Sequence, residues 1–327
     1  MSPRLDVATT AQTAAFLLVA ILQCAIPVAS GATEQAAPAE TVRKADPFAT
    51  GTDEATIRLE LARAEVAYGK DAPGVAALLR ELSESLVNFE RFAATEPHKR
   101  SARIAEAESL IRRALALDES NAGRGHPDVA HDLHILTRLL LLEWSVRNKF
   151  DRYAEAEAFA RRALAIDDAR SDDKDRDVAR DLLTLENVLV AKQRWAEAEP
   201  LVRRALLIIE GLSGKAHPDT FPARNNLAQI LTFLRRYEEA EELYKAALAH
   251  AEAACGKDQD SIATHLRNII RCHSQTKRMA DAEPFIRRIV AIDENAHDKN
   301  DRQYANDLRS LADSVIAAGR PLDAGQI

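Results

Sequence analysis

Aromatic residues make up only 5% of the 327-residue chain, with two Trp among them, and Met occurs twice. A β-sandwich or barrel needs aromatic and β-branched strands separated by frequent turns, and 11 Gly and 12 Pro are too few to supply them. Excess positive charge is also lacking. A net charge of −7 excludes the basic footprint of a general nucleic-acid binder, so no nucleic-acid partner is expected. Cysteine is scarce. Cys24 lies in the N-terminal apolar run, and Cys255 and Cys272 are expected on antiparallel helices roughly 15–20 Å apart, too far for a disulfide. Both are expected to be buried free thiols. What is abundant is Ala, Leu, Glu and Arg, within 46% hydrophobic and 29% charged residues, which is the composition of long amphipathic helices.

The first 32 residues read as a secretory signal. Arg4 precedes an apolar run over residues 14–26, which is interrupted by Gln23, stopped by Pro27 and followed by the small residues Ser30, Gly31 and Ala32. The run is short for a membrane span of about 20 residues. The expectation is therefore a periplasmic or secreted protein with no stable membrane insertion after cleavage; the alternative is anchoring by an uncleaved signal. Arg outnumbers Lys by 33 to 11, a bias that goes with GC-rich bacterial genomes. Residues 33–52 are Ala/Pro/Glu/Thr-rich and aperiodic, a flexible linker. Residues 53–324 are expected to form a helical repeat domain of about five to six repeats, and 325–327 a tail.

The repeat rests on three interleaved registers. Ala-Glu-Ala-Glu at 105–108 returns at 154–157 and 196–199, and in altered form at 238–241 and 280–283; the starts lie 49, 42, 42 and 42 residues apart. His-Pro-Asp-Val-Ala at 126–130 is echoed at 176–179, 217–220 and 260–263 with the same spacings. A third column is a single arginine before each first motif: Arg103, Arg152, Arg194, Arg236, Arg278 and Arg320. Self-similarity at this period predicts an all-α, right-handed superhelical solenoid of antiparallel helix pairs.

In each pair the first helix opens at the Pro/Asp turn, where Asp128, Asp177 or Asp219 is expected to cap backbone N–H groups. Leu182, Leu185 and Leu189 form its apolar stripe. The second helix follows Arg-Tyr or Arg-Trp. Its Ala156, Ala198, Ala240 and Ala282 allow close backbone approach, with Phe159, Leu201, Leu243 and Phe285 filling the space between hairpins. Seven extra residues around 145–151, and a longer excess near 92–102, fall at the turns within hairpins and should protrude on one rim.

These strings resemble the tetratricopeptide repeat of the 42-residue, kinesin-light-chain-like type: His-Pro-Asp, then Asn225-Asn226-Leu227-Ala228, then Arg236-Tyr237 leading into Glu-Glu-Ala-Glu and a later Ala-Leu, over roughly residues 70–324. The resemblance implies repeats that do no chemistry themselves and bind peptides or partner proteins along a concave surface lined by first helices. The tandem Asn stands only at Asn225-Asn226; Leu183-Thr184 and Arg309-Ser310 occupy the corresponding positions elsewhere.

Glu108–Arg112, Glu157–Arg161, Glu199–Arg203, Glu241–Lys245 and Glu283–Arg287 are i,i+4 pairs, expected on a solvated convex face at a few tenths of a kcal/mol each. Projection of the first helices puts Arg138, Arg180, Asn187, Asn225, Gln229, Arg267, Arg271, Asn306 and Arg309 on the concave face as the candidate partner-binding residues. Arg267 and Arg271, i,i+4, are placed to share one carboxylate. The competing expectation is that these arginines pair with Asp313 or Glu186. His131 and His134 are expected at the surface, with no third metal ligand nearby. Cys272 and His273 point about 100° apart on one helix and form no nucleophile–base pair. Residues 211–215 fail as a phosphate loop, because Ile209 occupies the required Gly position and Ala216 replaces the hydroxyl. No catalytic residues, metal or cofactor are expected. The reading is a non-catalytic scaffold holding a protein or acidic peptide. The alternative is a structural subunit of a cell-envelope assembly, packing or self-associating through its rims and its open C-terminal end.

Overall fold

The computed structural model describes residues 54–87, 97–147, 152–170, 176–214, 217, 220–255, 259–295 and 302–324. The expected signal, linker and tail lie outside the described residues, as do Asp219 and the side chain of Cys255. Among the described residues every regular element is helical. In order these are α1 (Glu54–Tyr68), α2 (Pro73–Leu86), α3 (Pro97–Asn121), α4 (Pro127–Arg147), α5 (Tyr153–Asp168), α6 (Arg176–Ala191), α7 (Trp195–Ser213), α8 (Thr220–Phe233), α9 (Tyr237–Cys255) and α10 (Gln259–Gln275). A 3₁₀ turn (Met279–Ala282) then leads into α11 (Glu283–Asn295), followed by α12 (Arg302–Ala317) and the single turn α13 (Pro321–Ala324). The chain divides into two compact units. The first runs to Arg194 and takes in Leu207–Leu212; the second holds Trp195–Leu206 and everything from Ser213 onward.

Within the first unit each helix packs on the next from α1 to α6, and first helix α4 also touches first helix α6. Within the second, α8 to α12 pack in the same sequential way, and α13 lies on α12. The predicted alanine column is fully buried: Ala156, Ala198, Ala240 and Ala282 each have 0% exposure. A side chain larger than a methyl there would force the backbones apart, so the repeat spacing depends on these positions. Leu182, Leu185 and Leu189 are buried as expected, and Ile57, Leu79, Leu82, Leu86, Ile111 and Leu136 belong to one continuous core in the first unit. Fully burying each such aliphatic side chain stabilises by about 1.5–3 kcal/mol. Cys272 is a buried free thiol.

The insertion after residue 144 lengthens the first helix itself: α4 has 21 residues where α6 has 16. The other expected excess lies partly in α3, which reaches 25 residues, and partly outside the described residues. One capping expectation is corrected. At the start of α4 the backbone N–H of Asp128 donates to Nδ1 of His126, 3.3 Å away, so the His of the turn does the capping. The Asp128 carboxylate instead lies 3.4 Å from His126 and 3.8 Å from Arg80.

First helices end in a recurrent left-handed residue. Gln193, Arg235 and Lys277 have φ of 57°, 61° and 59°, and Gly319, in the same register, has 78°. Around each, the N–H three positions past the helix reaches back to the carbonyl five residues earlier: Arg194 to Leu189, Arg236 to Leu231, Arg278 to His273 and Arg320 to Val315, at 2.8–3.0 Å. This is the Schellman stop, and it delivers the arginine column to the start of each second helix.

Those arginines clamp consecutive repeats. Arg152 bonds Glu108 at 2.6 Å, Arg194 Glu157 at 2.8 Å, Arg236 Glu199 at 2.7 Å and Arg278 Glu241 at 2.6 Å; Arg320 pairs with Glu283 in the same way. The expectation of a simply solvated convex face is thereby corrected. Each glutamate accepts its i+4 partner and also the arginine of the following repeat, and Glu241 is only 4% exposed. At Glu157, burial raises the carboxyl, but hydrogen bonds from Lys192, Arg161 and Arg194 outweigh it and hold the group at about 2.

Two predictions follow from this architecture. Arg235→Gly and Lys277→Gly should each raise the unfolding free energy by about 0.5–1 kcal/mol, read as a higher urea midpoint, because glycine adopts positive φ without the Cβ clash. Glu157→Gln should cost about 1–2 kcal/mol at neutral pH, a figure discounted for the half-exposed ends of its cationic partners. Because the folded carboxyl titrates below its unfolded value, its contribution is present above about pH 4.5 and is lost as pH falls toward 2. The wild-type and variant denaturation curves should therefore converge on acidification.

Candidate partner-binding face

The first helices carry a polar column in exact repeat register: Glu84 on α2, Arg138 on α4, Asn187 on α6, Gln229 on α8, Arg271 on α10 and Asp313 on α12. In the first unit Arg138 is half-buried, and its Nε has no hydrogen-bond partner among the described residues. Burial lowers its basicity, Glu84 partly restores it and Arg180 lowers it further. Glu84 is itself engaged by His131, with Nε2 to Oε1 at 3.6 Å. On α6 the Asn187 Oδ1 is buried and likewise receives no hydrogen bond. The face of α2, α4 and α6 thus holds, among the described residues, a cation on α4 with no carboxylate bonded to it and an amide oxygen on α6 with no hydrogen bond.

The other candidates divide. Arg180 is consumed internally, bonded to Asp177 at 2.6 Å and facing Asp167 and Asp181 at 3.6 and 3.5 Å. Arg267 is consumed by Asp293 at 3.1 Å and Asp307 at 3.0 Å. Neither uses Asp313 or Glu186, and the two arginines of α10 have different partners: Arg271 is exposed and donates to Asn268 Oδ1 at 3.1 Å. In the second unit Asn225 Oδ1 and Gln229 Oε1 are buried without a hydrogen bond, whereas Asn306 and Arg309 are exposed on α12.

His134 was expected at the surface and is buried. Its Nδ1 lies 2.9 Å from Thr184 Oγ1 and 3.5 Å from Asp181 Oδ1. Burial, then Arg180, Arg138 and His131, hold it well below the usual histidine range, so it is neutral. Hydroxyl and carboxylate meet the same ring nitrogen instead of flanking the ring, which forms no nucleophile–base–acid relay. Among the described residues no group of three His, Cys, Asp or Glu is placed to hold a metal ion, and no helix is long and apolar enough to cross a membrane.

Residues 181–253 match the tetratricopeptide-repeat family. The remaining helix pairs share the fold of such repeats. Among solved structures the chain is similar to the nearly identical TPR-like repeats of a kinesin light chain from Podosopora anserina (TM-score 0.54, 17% identity, covering 69% of this chain and 98% of that one). It is also similar to BtubC from P. vanneervenii (0.52, 21%, covering 71% and 88%). A third is a signal-transduction ATPase with a tetratricopeptide repeat sensor from Pyrococcus horikoshii (0.59, 16%, covering 83% and 37%). These likenesses are of fold. The comparison with curated proteins finds no match. Tetratricopeptide repeats are in general non-catalytic protein-interaction scaffolds.

The same repeats contain a constellation that reading the helices singly misses. Arg80 on α2 bonds Asp118 on α3 and Asp132 on α4, each at 2.6 Å. Asp167 on α5 and Asp181 on α6 meet at the next junction, and Asp293 on α11 and Asp307 on α12 meet around Arg267. Each acid pair is separated by 14 residues: 118 and 132, 167 and 181, 293 and 307. At the two remaining junctions the corresponding positions are Ile209 with Ala223 and Ala251 with His265. Arg80 and Arg267 occupy one register position, which is His134, Leu183 and Asn225 in the repeats between. The recurrent 14-residue interval is the sequence signal that finds them.

Proposed function

We propose that the chain is a non-catalytic scaffold that holds an acidic segment of a partner protein or peptide on the first-helix face of its first unit, with Arg138 as the anchor. One observation carries this reading: Arg138 is a half-buried guanidinium with an unbonded Nε and no carboxylate bonded to it among the described residues, whereas Arg180, whose Nε is also unbonded, is tied through its terminal nitrogen to Asp177. A cation withdrawn from water gains most from a ligand carboxylate that restores its hydrogen bonds. Asn187, beside it, suits a backbone N–H of an extended peptide. Ile316, 52% exposed on α12, supports the second reading, end-on packing through the C-terminal hairpin.

A peptide array graded in Asp and Glu content separates the two. Acidic peptides should bind the wild type, weaken with added salt, and lose about tenfold or more in affinity on Arg138→Met, the scale of one charge-assisted hydrogen bond. Arg309→Met, on an exposed arginine, should change little. Affinity indifferent to peptide charge, or equal losses in both variants, would remove the groove assignment; self-association that Ile316→Glu abolishes would favour the second reading.

Export belongs to the same proposal. The mass of the protein recovered from an envelope fraction should correspond to a chain beginning at Thr33; an intact N-terminus in the membrane fraction would favour the uncleaved anchor.

A further inference from the structure

At three hairpin junctions two carboxyl groups meet around a guanidinium, and at the first two both carboxyl groups are buried. At the first, Asp132 is 0% exposed and Asp118 7%, both bonded to Arg80, with Asp128 of α4 and His126 of the preceding turn the other charged or titratable groups that face them. At the second, Asp181 is 1% exposed, neither of its oxygens receives a hydrogen bond from an N–H group, and Asp167 is the carboxyl it meets. Arg180, Asp177 and Arg170 complete the charges there, and His134 adds none because it is neutral. At the third, Asp307 is 6% exposed and shares Arg267 with Asp293, with Tyr304 of α12 nearby.

Charge arithmetic then decides the protonation state. One guanidinium balances one carboxylate. A second ionised carboxylate beside Arg80, or beside Arg180, whose guanidinium also serves Asp177, would be a poorly balanced buried charge, which costs several kcal/mol. A proton held between the two carboxyls removes that charge and satisfies oxygens that no N–H reaches. The pairing of residue types across the repeats supports this. Where one acid of the pair is replaced, by Ile209 or Ala251, the other is replaced too, by Ala223 or His265, and no arginine occupies the facing register position.

We propose that the junctions α2–α3–α4 and α4–α5–α6 are seams closed by a proton shared within each aspartate pair, so that loss of that proton to solvent loosens hairpin packing at these seams and not at α8–α9–α10. The titration behaviour agrees. Burial raises Asp132 to about 7, against the pull of Arg80, and raises Asp181 to about 8, against that of Arg180; Asp118, Asp167 and Asp307 are also raised by burial. In the unfolded chain an aspartate titrates near 3.9. Between that value and the folded one the native state holds a proton that the unfolded state does not, so stability falls as pH rises, and levels off above about 8. The buried neutral histidines act in the opposite sense only below about 6.5. Between pH 6.5 and 8 the seams therefore dominate.

Hydrogen–deuterium exchange of the full chain, corrected for the intrinsic rate at each pH, reads this segment by segment. Protection of α4 and α6 should fall by up to about tenfold per pH unit between pH 6.5 and 8 for each proton retained, while α8 and α9, which carry no acid pair, should hold constant. Asp181→Asn and Asp132→Asn, whose amides can donate as the protonated acid does, should flatten the slope in their own seam. Equal slopes in all helices, or an unchanged slope in the variants, would overturn the proposal. Infrared titration of the wild type needs no variant: a protonated-carboxyl band should persist at pH 6.5 and bleach by pH 9. Its absence in the folded protein at pH 6.5 would equally overturn it.

Discussion

Every part of this chain depends on one packing constraint. A helix hairpin has two apolar faces and can cover only the one between its own helices, so the other must be covered by the next hairpin. The alanine column shows how tightly the constraint is drawn: four second helices bring a methyl-bearing position to complete burial at the same register. Once backbones are that close, the side chains flanking the contact lose their water. Whatever charge they carry has to be answered across the junction, and the ion-pair arrangement follows from the packing.

Two different answers are visible. Along the outer edge, each repeat's glutamate is met by an arginine of the next repeat, at distances of 2.6–2.8 Å in the first four pairs, and from Arg194 onward a left-handed turn delivers that arginine. These pairs are half-open to solvent, so each contributes modestly and the ladder sets register more than it adds stability. Deeper in, the pairs Asp118–Asp132 and Asp167–Asp181 are buried around the guanidinium groups of Arg80 and Arg180. There the balance of charge is incomplete without a proton, and acidity becomes part of the packing.

The period, the hairpins, the alanine column and the apolar stripe of α6 were legible in the sequence, because each is a local or periodic property. The arginine column was legible as a register but not as a clamp: its partner sits in the preceding repeat, 37 residues away in the later pairs and 44 in the first. His134 was misjudged because three-residue spacing from His131 places it on a helix face without saying how many helices surround that face. Arg267 and Arg271 do share a face of α10, yet the long side chain of Arg267 reaches Asp293 and Asp307 on two other helices. Convergence from three helices leaves no trace in any one of them; only the 14-residue interval, recurring three times, records it.

That register also sorts the arginines that composition alone would pool as one basic groove. Arg80 and Arg267 stand at the position that faces an acid pair, and in both cases the pair is present and the guanidinium is used. Arg138 and Arg271 stand one helical turn further along, at the position otherwise taken by Glu84, Asn187, Gln229 and Asp313. No recurrent acid pair answers that position, so a cation there is free of the junction chemistry. Of the two, Arg271 is exposed and keeps most of its hydration, whereas Arg138 is half-buried with an unbonded Nε. Desolvation without compensation separates Arg138 from a solvated arginine, and on that criterion the face of α2, α4 and α6 is the site proposed for a partner's carboxylate.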